Sequence, residues 1–188
     1  MKPNLYTLLY EGGIYMNETL KTLIERRSIR KYKKEQISEE QLKLILEAGT
    51  YAPTGMGAQS PIMVVVQDRQ TIKELSKMNA EVMGTTSDPF YGAPTVIVVL
   101  ADKSKRSTYV EDGSLVMGNL MNAAHSLGVD SCWIHRAKEV FASEKGKDLL
   151  KKWGIEGDYV GIGHCILGYR DCEYSDAKPR KKGYIVRV

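Results

Sequence analysis

Two hydrophobic periods alternate along the chain, and their order gives an outline of the fold. After Asn17, the residues Leu20, Leu23 and Ile24 recur at helical spacing; Asn17 is a good N-cap, so a short helix is predicted that delivers Arg26 and Arg27 at its end. Ser38 and Gln41 have the spacing of a capping box, with Ile37 and Leu42 placed as its hydrophobic staple. That second helix buries Leu42, Ile45 and Leu46 and stops at Gly49 and Ala52-Pro53. Ile62 to Val66 reads as a strand, and Asp68 then caps a helix with Ile72 and Leu75 on one face, fading near Ala80. Thr95 to Leu100 is a buried strand by its β-branched run.

The longest helix is predicted from Tyr109 to Leu127, stopped by Gly128. Its apolar positions Leu115, Val116, Leu120, Ala123, Ala124 and Leu127 are widened by Met117, Gly118 and Met121, which suits a central helix at a subunit interface. Ser131 to Ile134 reads as a short strand and Ser143 to Trp153 as a helix. Tyr159 to Tyr169 alternates, with Val160, Ile162, His164 and Ile166 on one face and Gly161, Gly163, Cys165 and Leu167 on the other. A histidine on such a face is expected to be a satisfied core residue rather than a ligand. The last piece, Tyr184 to Val188, is strand-like and is expected to dock on something.

Two stretches lack a period. Pro53 to Pro61 is rich in glycine and small polar groups, which leaves backbone N–H groups open to close approach, although a plain connection has the same composition. Glu81 to Gly92 is long enough for a lid or binding loop, with Phe90 and Tyr91 as anchors or covers. At 188 residues the chain suits one domain, expected over 16–188, with 1–15 as an N-terminal arm of open role that makes a poor signal peptide. No apolar run reaches the roughly 20 residues of a membrane span. The net charge of +4 is mild for a nucleic-acid binder, so neither membrane nor nucleic acid is an expected partner. Cys132, Cys165 and Cys172 have no paired spacing, which argues against a zinc site and for free thiols in a reducing cytoplasm.

The densest charge lies in Arg26 to Lys34, Arg-Arg-Ser-Ile-Arg-Lys-Tyr-Lys-Lys. A solvated basic face is one reading; the other is a phosphate site, because arginine forks match phosphate oxygens in pairs and a serine adds a neutral donor. No nucleophile elbow, P-loop, H-E-x-x-H or helix-opening G-x-G-x-x-G is present, and Gly161-Ile162-Gly163 falls inside a strand. Basic clusters near both ends, a glycine-rich loop and no evident nucleophile suit a protein that holds a phosphorylated cofactor and lets it do the chemistry.

Four motifs in order, Arg26-Arg27-Ser28-Ile29-Arg30-Lys31-Tyr32, Ala52-Pro53-Thr54 with Gln59, Ser131-Cys132-Trp133-Ile134, and Gly168-Tyr169 with Lys178-Pro179-Arg180, make the chain resemble the nitroreductase family of FMN-dependent oxidoreductases over Asn17 to Val188. The resemblance implies an α+β fold: a central, mostly antiparallel sheet flanked by helices, in an intertwined homodimer whose C-terminal segments are exchanged. It implies two FMN sites at the dimer interface. Arg26, Arg27 and Ser28 would hold the phosphate and ribityl chain, and Arg30 would lie nearer the pyrimidine edge. Pro53, Thr54, Gly55, Met56, Gly57 and Gln59 would approach from the other subunit, Trp133, Ile134 and His135 would lie against the isoalloxazine ring through backbone, and Lys178 and Arg180 would reach the phosphate from the tail.

Family members often carry Asn two residues before that Gln and Pro-Trp directly after it, where this chain has Gly57, Ser60 and Pro61. The implied activity is ping-pong electron transfer from NAD(P)H through FMN to a nitroaromatic, quinone or similar small acceptor, with no side chain as obligate acid or base and no metal. Dehalogenating or flavin-consuming chemistry on the same fold, and a cofactor-free anion-binding module, are the alternatives.

Overall fold

A computed structural model describes residues 16–188; the N-terminal arm expected over 1–15 lies outside the described residues. The chain order is α1 (Glu18–Glu25), α2 (Glu39–Thr50), β1 (Pro61–Val66), α3 (Arg69–Met83), β2 (Thr95–Asp102), α4 (Tyr109–Ser126), β3 (Asp130–Ile134), α5 (Ala137–Ala142), α6 (Glu144–Lys152) and β4 (Tyr159–Gly168). The cap residues act as their chemistry dictates. Asn17 and Asp68 accept from backbone N–H groups three residues on, and Ser38 and Gln41 form a complete capping box.

The four strands run in the order β1-β2-β4-β3, every neighbouring pair antiparallel, as expected for an α+β fold. β2 is central, and Val96 to Ala101 are wholly buried because both faces of the sheet are covered. Each such Val, Ile or Leu contributes about 1.5–3 kcal/mol of burial. On one face Val96, Val98 and Leu100 meet Ile72, Leu75 and Met78 of α3 together with Val140, Phe141 and Leu149 from α5 and α6. On the other, Ile97, Val99 and Ala101 meet Ile45 of α2 and Val116, Met117, Leu120 and Ala124 of α4.

β4 departs from the strict alternation expected of it. Val99 pairs with Gly163 and Leu100 with Gly161, so Ile162 is an extra residue in a β-bulge. The bulge flips the phase: Ile162 joins Cys165 and Leu167 on the α4 face, while Ile166 stays on the α3 face. Gly163 then has a packing role, since a Cβ there would lie 2.6 Å from Trp133 Nε1. Within this strand His164 is fully buried between the rings of Phe90 and Phe141, at 5.1 and 6.0 Å. It is a core residue, but not a satisfied one: neither ring nitrogen meets a partner at hydrogen-bond geometry among the described residues.

Three other expectations change. α3 runs on to Met83 and stops at Gly84, whose φ of 71° is the left-handed region glycine accepts, so the aperiodic loop is shorter than its sequence implied. Phe90 anchors that loop in the core, whereas Tyr91 stays exposed. α5 was not foreseen. Tyr184 to Val188 forms no strand here and is exposed, from 69% at Tyr184 upward.

Candidate functional site

The segment that follows α1 runs along the free side of β3. Ile29 N–H donates to the Ser131 carbonyl at 3.1 Å, and Ser28 bridges Ser131 in parallel. Ile29 and Tyr32 point inward, both nearly buried, and the Tyr32 hydroxyl donates to the Ile29 carbonyl at 2.8 Å. Lys33 N–H then donates to the Tyr169 carbonyl at 2.8 Å. An extended chain alternates its side chains, so burying Ile29 turns Ser28 and Arg30 the other way.

This corner is rich in donors that its own chain leaves unanswered. Arg26 Nη1, Arg27 Nε and Ser131 Oγ are buried and have no hydrogen-bond partner among the described residues. Arg26, Arg27 and Arg30 make no ion pair among the described residues either. Arg27 divides its duties, since its Nη1 closes the end of α1 by donating to the carbonyls of Ile24, Glu25 and Arg26 at 2.7–2.9 Å. Burial pushes the Cys132 thiol up, while Arg30, the Ser28 hydroxyl and Arg26 pull the other way, which places all three around it. An unmet buried donor costs about 1–3 kcal/mol. A polyanionic, acceptor-rich group such as a phosphate is the chemistry that answers this set.

β3 leads directly into the Trp133–His135 segment. Trp133 lies across Gly163, Ile134 is buried, and His135 is exposed. Arg136, the residue that begins α5, has a φ of 75°. Asn79, wholly buried on α3, holds this turn: its amide donates to the His135 carbonyl at 2.7 Å and its oxygen accepts from Arg136 Nε at 3.1 Å.

The Pro53–Gln59 loop is equally constrained from behind. Asp112 of α4, 2% exposed, accepts from Gly55 N–H and from the Ser60 hydroxyl, each at 2.9 Å. Thr54 Oγ1 accepts from Gln59 N–H at 3.1 Å. Met56, Gly57 and Gln59 all have positive φ, of 52°, 68° and 48°, and Met56 is 87% exposed at the tip. Two non-glycine residues in the left-handed region mark a loop whose shape is imposed by its surroundings.

Not every expected site residue comes together within one chain. The loop enters β1 and the arginine corner flanks β3, which are opposite edges of the sheet, three strand spacings or about 14 Å apart. The tail is tied at Tyr174, whose hydroxyl donates to the Glu25 carbonyl at 2.8 Å and whose ring stacks on His125. Beyond it, Lys178 and Arg180 are exposed, and Arg180 donates from both Nε and Nη2 to the Lys178 carbonyl. Asn79, Asp112, Ser131 and Arg136 were not foreseen as site residues. Asn79 had a signal, because it falls on the Ile72 and Leu75 stripe of α3, where an amide needs a reason.

The family model described as the nitroreductase family matches residues 23–87 and 80–169. A protein of Archaeoglobus fulgidus whose assigned name is NADH dehydrogenase/NAD(P)H nitroreductase is 34% identical over 158 residues, 82% of this chain and 86% of that protein. An NADPH-flavin oxidoreductase of Vibrio harveyi is 26% identical over 187 residues, covering 91% of this chain and 73% of that protein. Among solved structures, a Bacteroides fragilis nitroreductase with bound FMN superposes with a TM-score of 0.84 at 29% identity, covering 92% of this chain and all of that one. A Desulfitobacterium hafniense nitroreductase with bound FMN gives 0.82 at 29% identity, over 93% of this chain and all of that one.

Proposed function

The chain belongs to the nitroreductase family, and on that premise we propose that it is an FMN-dependent NAD(P)H oxidoreductase whose phosphate-binding wall is the Ser28–Ser131 corner. The observation that carries the assignment of this wall is the set of buried, unanswered donors on Arg26, Arg27 and Ser131. FMN held there would supply two-electron redox chemistry between a nicotinamide and an oxidised acceptor.

The chain's own residues hold and orient. Arg26, the free Nε of Arg27, and the hydroxyls of Ser28 and Ser131 bind the phosphate and ribityl oxygens, and Arg30 adds a positive charge beyond them. The backbone from Trp133 to Arg136 forms the wall beside the flavin ring, fixed from behind by Asn79. Lys178 and Arg180 of the tail complete the anion site. The acceptor is a small oxidised molecule of the nitroaromatic or quinone type.

The site takes its second side from a partner subunit. The Pro53–Gln59 loop is too far from its own arginine corner to meet it, and it presents an exposed, preformed tip. α1 buries no residue of its own and leaves Leu20, Leu23 and Ile24 exposed at 44%, 54% and 39%; Leu44 and Leu115 are also half exposed on α2 and α4. A homodimer covers these faces. The exposed apolar tail from Tyr184 to Val188 and the outer edge of β1, unpaired among the described residues, are complementary, and supply the exchange of C-terminal segments.

The test is the visible absorbance of the purified protein, release and identification of its flavin, and anaerobic reduction with NADH and with NADPH. A yellow protein with one FMN per chain, reduced by a nicotinamide, is expected. A colourless protein that fails to take up added FMN contradicts the proposal.

A further inference from the structure

A cavity of about 690 Å³ lies between α3 and the segment 85–94 that returns beside it, and it shares no residue with the arginine corner or the Trp133–Arg136 turn. Its volume is that of a small-molecule site. Ile72, Ala80, Ala93 and Pro94 give it an apolar floor. Four cations stand around it: Arg69, Lys73 and Lys77, which recur every four residues along one face of α3, and Lys34 from the segment before α2.

None of these four cations has an ion pair among the described residues. The two carboxylates on the cavity wall are already engaged. Glu81 pairs with Lys145 at 3.5 Å. Asp88 accepts from Phe90 N–H at 2.8 Å, from Gly92 N–H at 2.7 Å and from the Ser76 hydroxyl. Those bonds, with Phe90 sunk into the core, also make the returning wall rigid, so the cavity is preformed. Like charges repeated along one helix face repel each other, and a bound anion relieves the repulsion.

We propose that this cavity is a second binding site, for an amphipathic anion whose apolar body lies on the Ile72 and Pro94 floor and whose carboxylate or phosphate head sits among Lys34, Lys73 and Lys77. It is independent of the flavin reading, because no residue is common to both sites. The charge ring gives selectivity by head group, and the floor gives affinity by apolar area.

Isothermal titration of the holoprotein with decanoate, and with decyltrimethylammonium as a probe of equal chain and opposite charge, tests it. Decanoate is expected to bind at one per chain, about tenfold or more tighter than the cation, and to lose about tenfold in the Lys73→Glu/Lys77→Glu variant. Both lysines are exposed, so the variant keeps its far-ultraviolet circular dichroism and its flavin absorbance. Equal affinity for the two probes, decanoate binding that survives the double substitution, or no saturable binding at millimolar decanoate overturns the proposal.

Discussion

Asn79 grips Arg136 through a 3.1 Å bond to its Nε and, at the same time, the preceding carbonyl of His135 through a 2.7 Å bond. One buried amide on α3 thus fixes a turn in which an arginine sits at a φ of 75°. Replacing Asn79 with Ala removes both bonds and leaves a strained turn without its clasp, at a cost of about 1–3 kcal/mol. The Asn79→Ala protein is expected to keep its fold and melt at lower temperature, and, with the flavin ring against this turn as proposed, to show a shifted flavin potential. Arg136→Gly accepts the same φ without strain and is expected to lose less stability than Asn79→Ala. An unchanged potential in Asn79→Ala would reduce Asn79 to a structural residue.

His164 gives the protein a pH-dependent stability. Burial, with a smaller push from Arg136 and partial relief from the backbone of Ile134, takes its pKa from 6.5 down to about 4. The native imidazole is therefore neutral, and above pH 6.5 its protonation costs the fold nothing. As pH falls below 6.5 the unfolded chain takes up a proton that the native one refuses, so stability declines until about pH 4, by a total on the order of 3 kcal/mol. Urea midpoints across this range are expected to fall in the wild type and to fall less steeply in His164→Leu, which also removes two unsatisfied nitrogens. Identical slopes in the two proteins would contradict this role.

Asp112 is the anchor of the glycine loop. Asp112→Ala strands the Gly55 N–H and the buried Ser60 hydroxyl, whereas Asp112→Asn keeps an acceptor for one of them. FMN dissociation measured by fluorescence is expected to quicken strongly in Asp112→Ala and less in Asp112→Asn.

The tail is expected to act between subunits. Deleting Tyr184 to Val188 removes a segment that adds nothing to the core of its own chain, so the thermal stability of an isolated subunit would not change. Sedimentation velocity is nevertheless expected to show the dimer weakened. An unaltered dimer would locate the interface on α1, α2 and α4 alone.

Much of this was legible from residue type and spacing. Asn17, the Ser38 and Gln41 pair and Asp68 announce helix starts because their side chains bond the first free N–H groups, and that chemistry is local. β2 was legible because a central strand is apolar on both faces. α5 was not, since its six residues are less than two full turns and show no period. The β4 bulge was hidden because Ile162 is apolar whichever face it takes, and only the pairing of Val99 and Leu100 decides the phase. At the candidate site, the charge of the arginine corner was legible from its density, while its reading as a phosphate wall came from likeness to a family. The supports behind it were not, because Asn79 and Asp112 act across 56 and 57 residues of sequence, and nothing local marks their partners.

The central claim is that the buried donors of the Ser28–Ser131 corner hold FMN, and comparing Arg26→Ala with Lys33→Ala tests it most directly. Arg26 presents a buried, unanswered Nη1, whereas the exposed Lys33 side chain faces solvent. With FMN content read from the flavin absorbance of the purified proteins and affinity from fluorescence titration, Arg26→Ala is expected to bind FMN at least about tenfold more weakly, while Lys33→Ala stays close to wild type. Equal losses in both variants, or full retention in Arg26→Ala, would contradict the account.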